Sequence, residues 1–173
     1  MADFLSAFER AILAEGGYKL HQVAGDTGGL TYAGIARAKN PQWPGWAWID
    51  RGETPPSQLV RDFYRAGWWE PILGDQIIDQ EAAYTIYSFA TNSSARGKPA
   101  TAVLLVQLVV GTTPDGSMGD KTLEALNAME PRLFLALYAL ARIARYRDIV
   151  TRNRTQQKFL LGWINRSLKE ASV

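Results

Sequence analysis

Glu15, Asp26 and Thr31 stand within one short stretch, EGGYKLHQVAGDTGGLTYAGI over residues 15–35, which carries six glycines. A carboxylic acid, a second carboxylate and a hydroxyl suit hydrolysis of a glycosidic bond. That reaction needs an acid on the leaving oxygen, and a polar group that stabilises an oxocarbenium-like centre or holds the attacking water. Glu15 closes a helix in which Phe4, Phe8 and Ile12 recur every four residues, with Leu5 and Ala11 beside them, behind Asp3 as N-cap. It falls on the side of Ile12, and Gly16 then ends the helix. A carboxylate there faces the negative end of the helix dipole, at a cost of about 0.3–1 kcal/mol. At the edge of an apolar face it loses hydration, its pKa rises, and it can hold a proton near neutral pH. A partly exposed glutamate that merely ends a helix is the other reading of these residues.

The elements that must position this trio follow in order. Asp26-Thr27-Gly28-Gly29 is turn chemistry and Leu30-Thr31-Tyr32 is β-prone, so a small hairpin at about 22–33 is expected to fold back beside the first helix. Asp26 and Thr31 would then lie opposite Glu15 across a groove; taken alone, the turn reads equally as an ordinary one. Residues 35–40 read as a short helical turn. The loop PQWPGWAWIDRGETPP carries Trp43, Trp46 and Trp48. Their faces suit the apolar faces of sugar rings, yet tryptophans also anchor long loops, and at least one of the three is expected to do that. A helix over 79–93, opened by Asp79, presents Tyr87 and Asn92 toward the groove, or else a tyrosine meeting solvent and an asparagine ending a helix. Tyr32, Trp43, Trp46, Tyr87 and Asn92 are thus the substrate-binding candidates.

The remaining segments are helical. Thr54-Pro55 opens a helix with Leu59, Val60, Phe63 and Tyr64 in a stripe ending near Gly67. The polar run Ser93-Ser94-Ala95-Arg96-Gly97-Lys98 marks a boundary, dividing the chain into 1–96 and a C-terminal helical part, 97–173. Pro99 begins an apolar helix that stops at Gly111, and Asp120 caps a short one through Met129. The oxygen-rich residues 115–120 lack the closing glutamate of a calcium loop and read as a turn. From Pro131 a longer helix is expected to bury Leu133, Leu137, Leu140 and Ala144. A last helix, about 155–170, is expected to bury Leu160, Trp163, Ile164 and Leu168, with Gly162 marking close packing.

Composition removes other chemistries. The chain has 173 residues, no cysteine and one histidine, His21. A zinc hydrolase lacks its ligands, a Cys–His hydrolase lacks its thiol, and a Ser-His-Asp triad lacks its G-x-S-x-G elbow. No metal or other cofactor is called for, and His21 reads as a loop residue beside the cleft. The start, MADFLSAFER, does not read as a secretory signal, and the apolar run 102–110 is shorter than the roughly 20 residues a membrane span needs. Residues 1–130 carry 10 Lys and Arg against 15 Asp and Glu, whereas residues 131–173 carry 9 against 2. The basic end is either a handle for an anionic membrane or lipopolysaccharide surface or a solvated helix face. No specific nucleic-acid motif accompanies it, and a monomer is expected.

Glu15, then Asp26 after ten intervening residues and Thr31 after four, resembles the Glu…Asp…Thr triad of bacteriophage lysozymes, with a different spacing. EGGY followed by GDTGGLTYAGI is more closely similar to the family 108 glycoside hydrolases, the secretion-activator and endolysin muramidases. GWWEPILGDQI and SFATNSS resemble that family's YWDP-type and FD-x-A-x-N-S-G-type segments, and DGSMGDKTLEAL with FLLGWINR resembles its C-terminal peptidoglycan-domain signature. Ser88 and Ser94 depart from the aspartate and glycine usual in the helix motif. The resemblance implies a mainly α, lysozyme-like α+β fold with a small hairpin lobe and Glu15 as catalytic acid. It implies cleavage of the β-1,4 bond between N-acetylmuramic acid and N-acetylglucosamine in the glycan strands of peptidoglycan, in the periplasm or cell wall after holin- or secretion-dependent release. The alternatives are a non-catalytic wall-binding or secretion-accessory protein, in which the groove holds glycan uncut, and a lytic transglycosylase. The latter needs the glutamate but not a water-positioning Asp26 and Thr31.

Overall fold

The structure, a computed structural model, describes residues 1–14, 16–22, 29–94 and 96–171. The first helix, α1, spans Phe4–Ala14. Asp3 Oδ2 accepts the Ser6 backbone N–H at 2.7 Å, which caps it. Phe4, Ala7, Phe8 and Ile12 are buried, whereas Leu5, expected beside them, is exposed. The chain leaves the helix through Gly16 at φ +98°, with the Gly17 N–H bonded to the Ile12 carbonyl at 2.8 Å.

A three-stranded antiparallel sheet follows, β1 (Leu20–Gln22), β2 (Leu30–Tyr32) and β3 (Ile35–Ala36), with β2 in the centre. Thr31 pairs with His21 on one side and with Ala36 on the other, so residues 35–36, expected to be helical, extend the hairpin instead. Ala33 and Gly34 join β2 to β3 with both φ values positive, the two-residue turn whose twist matches that of the strands. Gly34 is required there twice over, since a Cβ would also stand 2.5 Å from Tyr64 Oη. That hydroxyl donates to the Ala33 carbonyl at 3.0 Å and ties the sheet to the next helices.

A four-residue helix, α2 (Trp46–Ile49), leads to α3 (Ser57–Tyr64), which starts after Pro56 rather than at Pro55. A π-helical turn over Arg65–Trp69 then brings Trp68 and Trp69 inward. The central helix is α4 (Gln80–Ser93), capped by Asp79 through a 2.8 Å bond from the Ala82 N–H. Residues 82–90 are buried all round, as suits a helix enclosed by others. It packs on α1, on the turn at 65–69, and on α5 (Ala100–Val110), α7 (Pro131–Arg152) and α8 (Gln157–Ala171), while α6 (Asp120–Ala128) packs on α5.

Two expected faces are corrected. On α7 the buried row is Phe134, Tyr138, Arg142, Tyr146 and Val150, with Leu135 and Ala139, whereas Leu133, Leu137 and Leu140 are exposed. The aromatic rings win the core: Phe134 stacks on Tyr138, and Phe89 of α4 meets Tyr138 and Tyr146 edge-on. On α8, Ser167 and Glu170 are buried and Leu168 is exposed, because Glu170 turns in to meet Arg142. Gly162 has nothing within 4 Å of where a Cβ would lie, so it marks no close packing. The turn expected at 115–120 is present, with Asp115 Oδ1 accepting from Gln107 Nε2 at 2.7 Å and from the Ser117 N–H at 2.8 Å. Among the described residues no helix is long and apolar enough to cross a membrane.

Candidate active site

A groove of about 910 Å³ runs between the end of α1, the sheet, the π-helical turn and the last turns of α4. Phe8, Ile12, Phe63 and Trp68 give it an apolar floor, and Thr31, His21, Tyr87, Thr91 and Asn92 give it polar walls. Gly16 and Gly17, which follow Glu15 in the chain, also line it. Glu15 and Asp26 themselves lie outside the described residues.

Thr31 sits at the middle of the central strand, 9% exposed, with its hydroxyl donating to the Gly29 carbonyl at 3.3 Å. Among the described residues nothing donates to that oxygen, whose two acceptor sites suit a water or a substrate hydroxyl. His21, its cross-strand neighbour, lies on a strand rather than in a loop and shares the groove wall.

Tyr87 is fully buried beneath the groove, its ring edge-on to Phe4 and Trp69. Among the described residues its hydroxyl has no hydrogen-bond partner. Burial, with a smaller push from Tyr64, raises its pKa far above that of an ordinary phenol, so it is a neutral hydroxyl with its hydrogen bonds unspent. One turn later, Asn92 Nδ2 donates to the Ser88 carbonyl at 2.9 Å.

Three of the substrate-binding candidates sit elsewhere. Tyr32, Trp43 and Trp46 are 5%, 6% and 3% exposed and none lines the groove. Tyr32 stacks on Trp43 with centroids 6.0 Å apart, and Trp46 meets Trp43 edge-on at 5.1 Å. Their indole N–H groups donate to backbone carbonyls, Trp43 to Leu59 at 3.2 Å and Trp46 to Asn40 at 2.7 Å. A ring face covered by another ring is closed to a sugar, so these residues anchor the loop after the sheet.

In their place the groove holds Trp68, which the sequence offers only within the motif-like segment GWWEPILGDQI, and Arg96. Trp68 is bound through Nε1 to the Ser94 carbonyl at 3.3 Å, and the π-helical turn that aims it leaves no periodicity to read. The Arg96 guanidinium lies 4.7 Å from the Phe63 ring centroid. With Lys19 and Lys39 it makes the wall basic; among the described residues no carboxylate lines the groove.

The model of the family described as Glycosyl hydrolase 108 matches residues 8–93, the stretch that builds most of this groove. A second model, described as Predicted Peptidoglycan domain, matches residues 101–168. Among solved structures, one described as the structure of Brucella abortus SagA is similar, with a TM-score of 0.64 at 24% identity over 98% of this chain and 96% of that one. At that identity the likeness establishes the fold, mainly α with a small sheet. No curated protein matches the sequence. The two family matches make the chain a glycoside hydrolase with peptidoglycan as its partner. The chain belongs to glycosyl hydrolase family 108, with a predicted peptidoglycan domain after its hydrolase region.

Proposed function

We propose that the protein is an N-acetylmuramidase that hydrolyses the β-1,4 bond between N-acetylmuramic acid and N-acetylglucosamine. The observation that carries the reading is an open groove inside the hydrolase-family region with Thr31 on one wall and Tyr87 and Asn92 on the other. Glu15 protonates the leaving oxygen. Asp26 stabilises the positive charge that develops at the anomeric carbon or orients the water, and Thr31 holds that water. Tyr87 and Asn92 bind the glycan from the α4 side. A hydroxyl held in the groove by its own strand supports hydrolysis over the internal cyclisation of a lytic transglycosylase, which uses no water.

Residues 1–96 form the catalytic region in this reading and residues 97–173 the helical part that engages the wall. The site of action is the periplasm or cell wall, reached by holin- or secretion-dependent release, and the protein works as a monomer. The basic residues Arg145, Arg147, Arg152 and Arg154 assist on anionic envelope lipid or lipopolysaccharide. Their neutralisation would weaken lysis of whole cells and spare digestion of purified wall.

Digestion of purified peptidoglycan, with borohydride reduction and mass spectrometry of the fragments, tests the reaction. Reduced muramic acid ends are expected. Anhydro-muramic ends would identify a transglycosylase, and binding without release would identify a non-catalytic wall protein.

A further inference from the structure

Beyond the groove lies a smaller cavity of about 210 Å³ between α4, α7 and α8. Arg142, only 1% exposed, forms part of its lining. One side of this guanidinium is spoken for: Nη1 donates to Glu170 Oε2 and, at 3.0 Å, to Thr85 Oγ1. The other Glu170 oxygen accepts from Ser88 Oγ at 2.9 Å, so the departure from the family motif at Ser88 has a structural use. Among the described residues, Arg142 Nε and Nη2 have no hydrogen-bond partner. Those two nitrogens share one edge of the guanidinium, the edge that grips a carboxylate through two parallel N–H···O bonds. A buried cation with that edge unspent is costly to keep unless something fills it.

The surroundings favour an anion. Arg145 and Arg166 line the same cavity from more exposed positions, Trp163 and Tyr146 wall it, and among the described residues no carboxylate lines it. The cavity also adjoins the groove, since Asn92 and Ser93 line both. The last turn of α4 is therefore the partition between them. A helical turn rises about 5.4 Å, whereas a four-residue peptide reaches about 13 Å when extended.

We infer that this cavity is a subsite for a carboxylate of the peptide stem of peptidoglycan, gripped by the free edge of Arg142 and drawn in by Arg145 and Arg166. The inference rests on the muramidase reading for its geometry: a glycan strand in the groove hangs its stem from the muramic acid ring, and the stem passes the end of α4. The volume admits the end of a short peptide and is too small for a lipid headgroup with its sugars. The enzyme then prefers stem-bearing glycan to stripped glycan.

The test has two arms. In the first, free stem tetrapeptide is titrated calorimetrically into the Glu15→Gln protein, into the same protein with Arg145→Ala and Arg166→Ala, and into one with Arg142→Lys. Binding is expected, with at least a tenfold weaker Kd in both altered proteins and for a stem whose carboxyls are amidated. Absence of binding, an unchanged Kd in the double variant, or inorganic phosphate binding as tightly as the stem would overturn the inference. The exposed pair keeps the test valid if Arg142→Lys does not fold. In the second arm, kcat/KM is compared on stem-bearing wall and on amidase-stripped glycan. The ratio between the two substrates is expected to fall about tenfold in Arg145→Ala/Arg166→Ala, and an unchanged ratio would overturn the inference. If the wild type cuts neither substrate, the muramidase reading fails. The titration then still decides the cavity, upheld by stem binding that the double variant loses and overturned by none.

Discussion

Replacing Tyr87 by phenylalanine separates stability from function at one atom. The ring is fully buried between Phe4 and Trp69, and phenylalanine fills the same space. The hydroxyl that is removed has no hydrogen-bond partner among the described residues. A buried polar group left unsatisfied costs about 1–3 kcal/mol, and its deletion returns that cost to the folded state. For a chain of this size each kcal/mol moves the melting temperature by about 2–4 °C. Tyr87→Phe is therefore expected to melt at least ~2 °C higher by circular dichroism. In the proposed role of Tyr87 as a glycan-binding residue, the same variant is expected to lose about tenfold in kcat/KM on purified peptidoglycan. Function and stability trade against each other at such positions. A lower melting temperature together with unchanged kcat/KM would mean that the hydroxyl makes a structural bond and no contact with glycan, the opposite of what is expected.

Other perturbations have equally definite signs. Glu170→Ala leaves Arg142 charged, buried and unpaired and takes the acceptor from Thr85 and Ser88, so a loss of about 3–5 kcal/mol is expected in urea unfolding. Glu170→Leu with Arg142→Met is expected to cost less than Glu170→Ala alone. Burial pushes the hydroxyls of Tyr87 and Tyr138 far above the usual phenol range. The unfolded chain loses those protons above about pH 10 while the folded chain keeps them, so their contribution is complete below pH 10 and is lost above it. Each steepens the loss by about 1.4 kcal/mol per pH unit. Absorbance titration is expected to show both ionising only as the protein unfolds. Gly34→Ala puts a Cβ 2.5 Å from Tyr64 Oη at φ +77°, and is expected to lower both melting temperature and activity by displacing the strand that carries Thr31.

Local signals were readable from the residues. The Asp3 and Asp79 caps, the Gly16 stop and the apolar helix before Gly111 each depend on neighbours within about one turn. Contacts distant in sequence were not. Trp43 is an anchor rather than a sugar platform because Tyr32, eleven residues earlier, covers its face. The inner face of α7 runs through Arg142, a residue whose type points outward, because Glu170 lies 28 residues on and enters the core with it. Reading Leu133, Leu137 and Leu140 as the core chose apolar type over the aromatic row beside it. At the site, Thr31, Tyr87 and Asn92 line the groove, and nothing local distinguishes Trp68 or Arg96 as its companions. The cavity at Arg142 was invisible for the same reason: in sequence its arginines belong to a basic tail.

Hydrolysis in oxygen-18 water reads out both which bond is cut and whether Glu15 supplies the acid. One labelled oxygen on C1 of N-acetylmuramic acid is expected for each bond cut by the wild type, with loss of that label for Glu15→Gln in a protein that melts normally. Label appearing on N-acetylglucosamine, anhydro ends without label, or undiminished cutting by Glu15→Gln would contradict the proposed reaction.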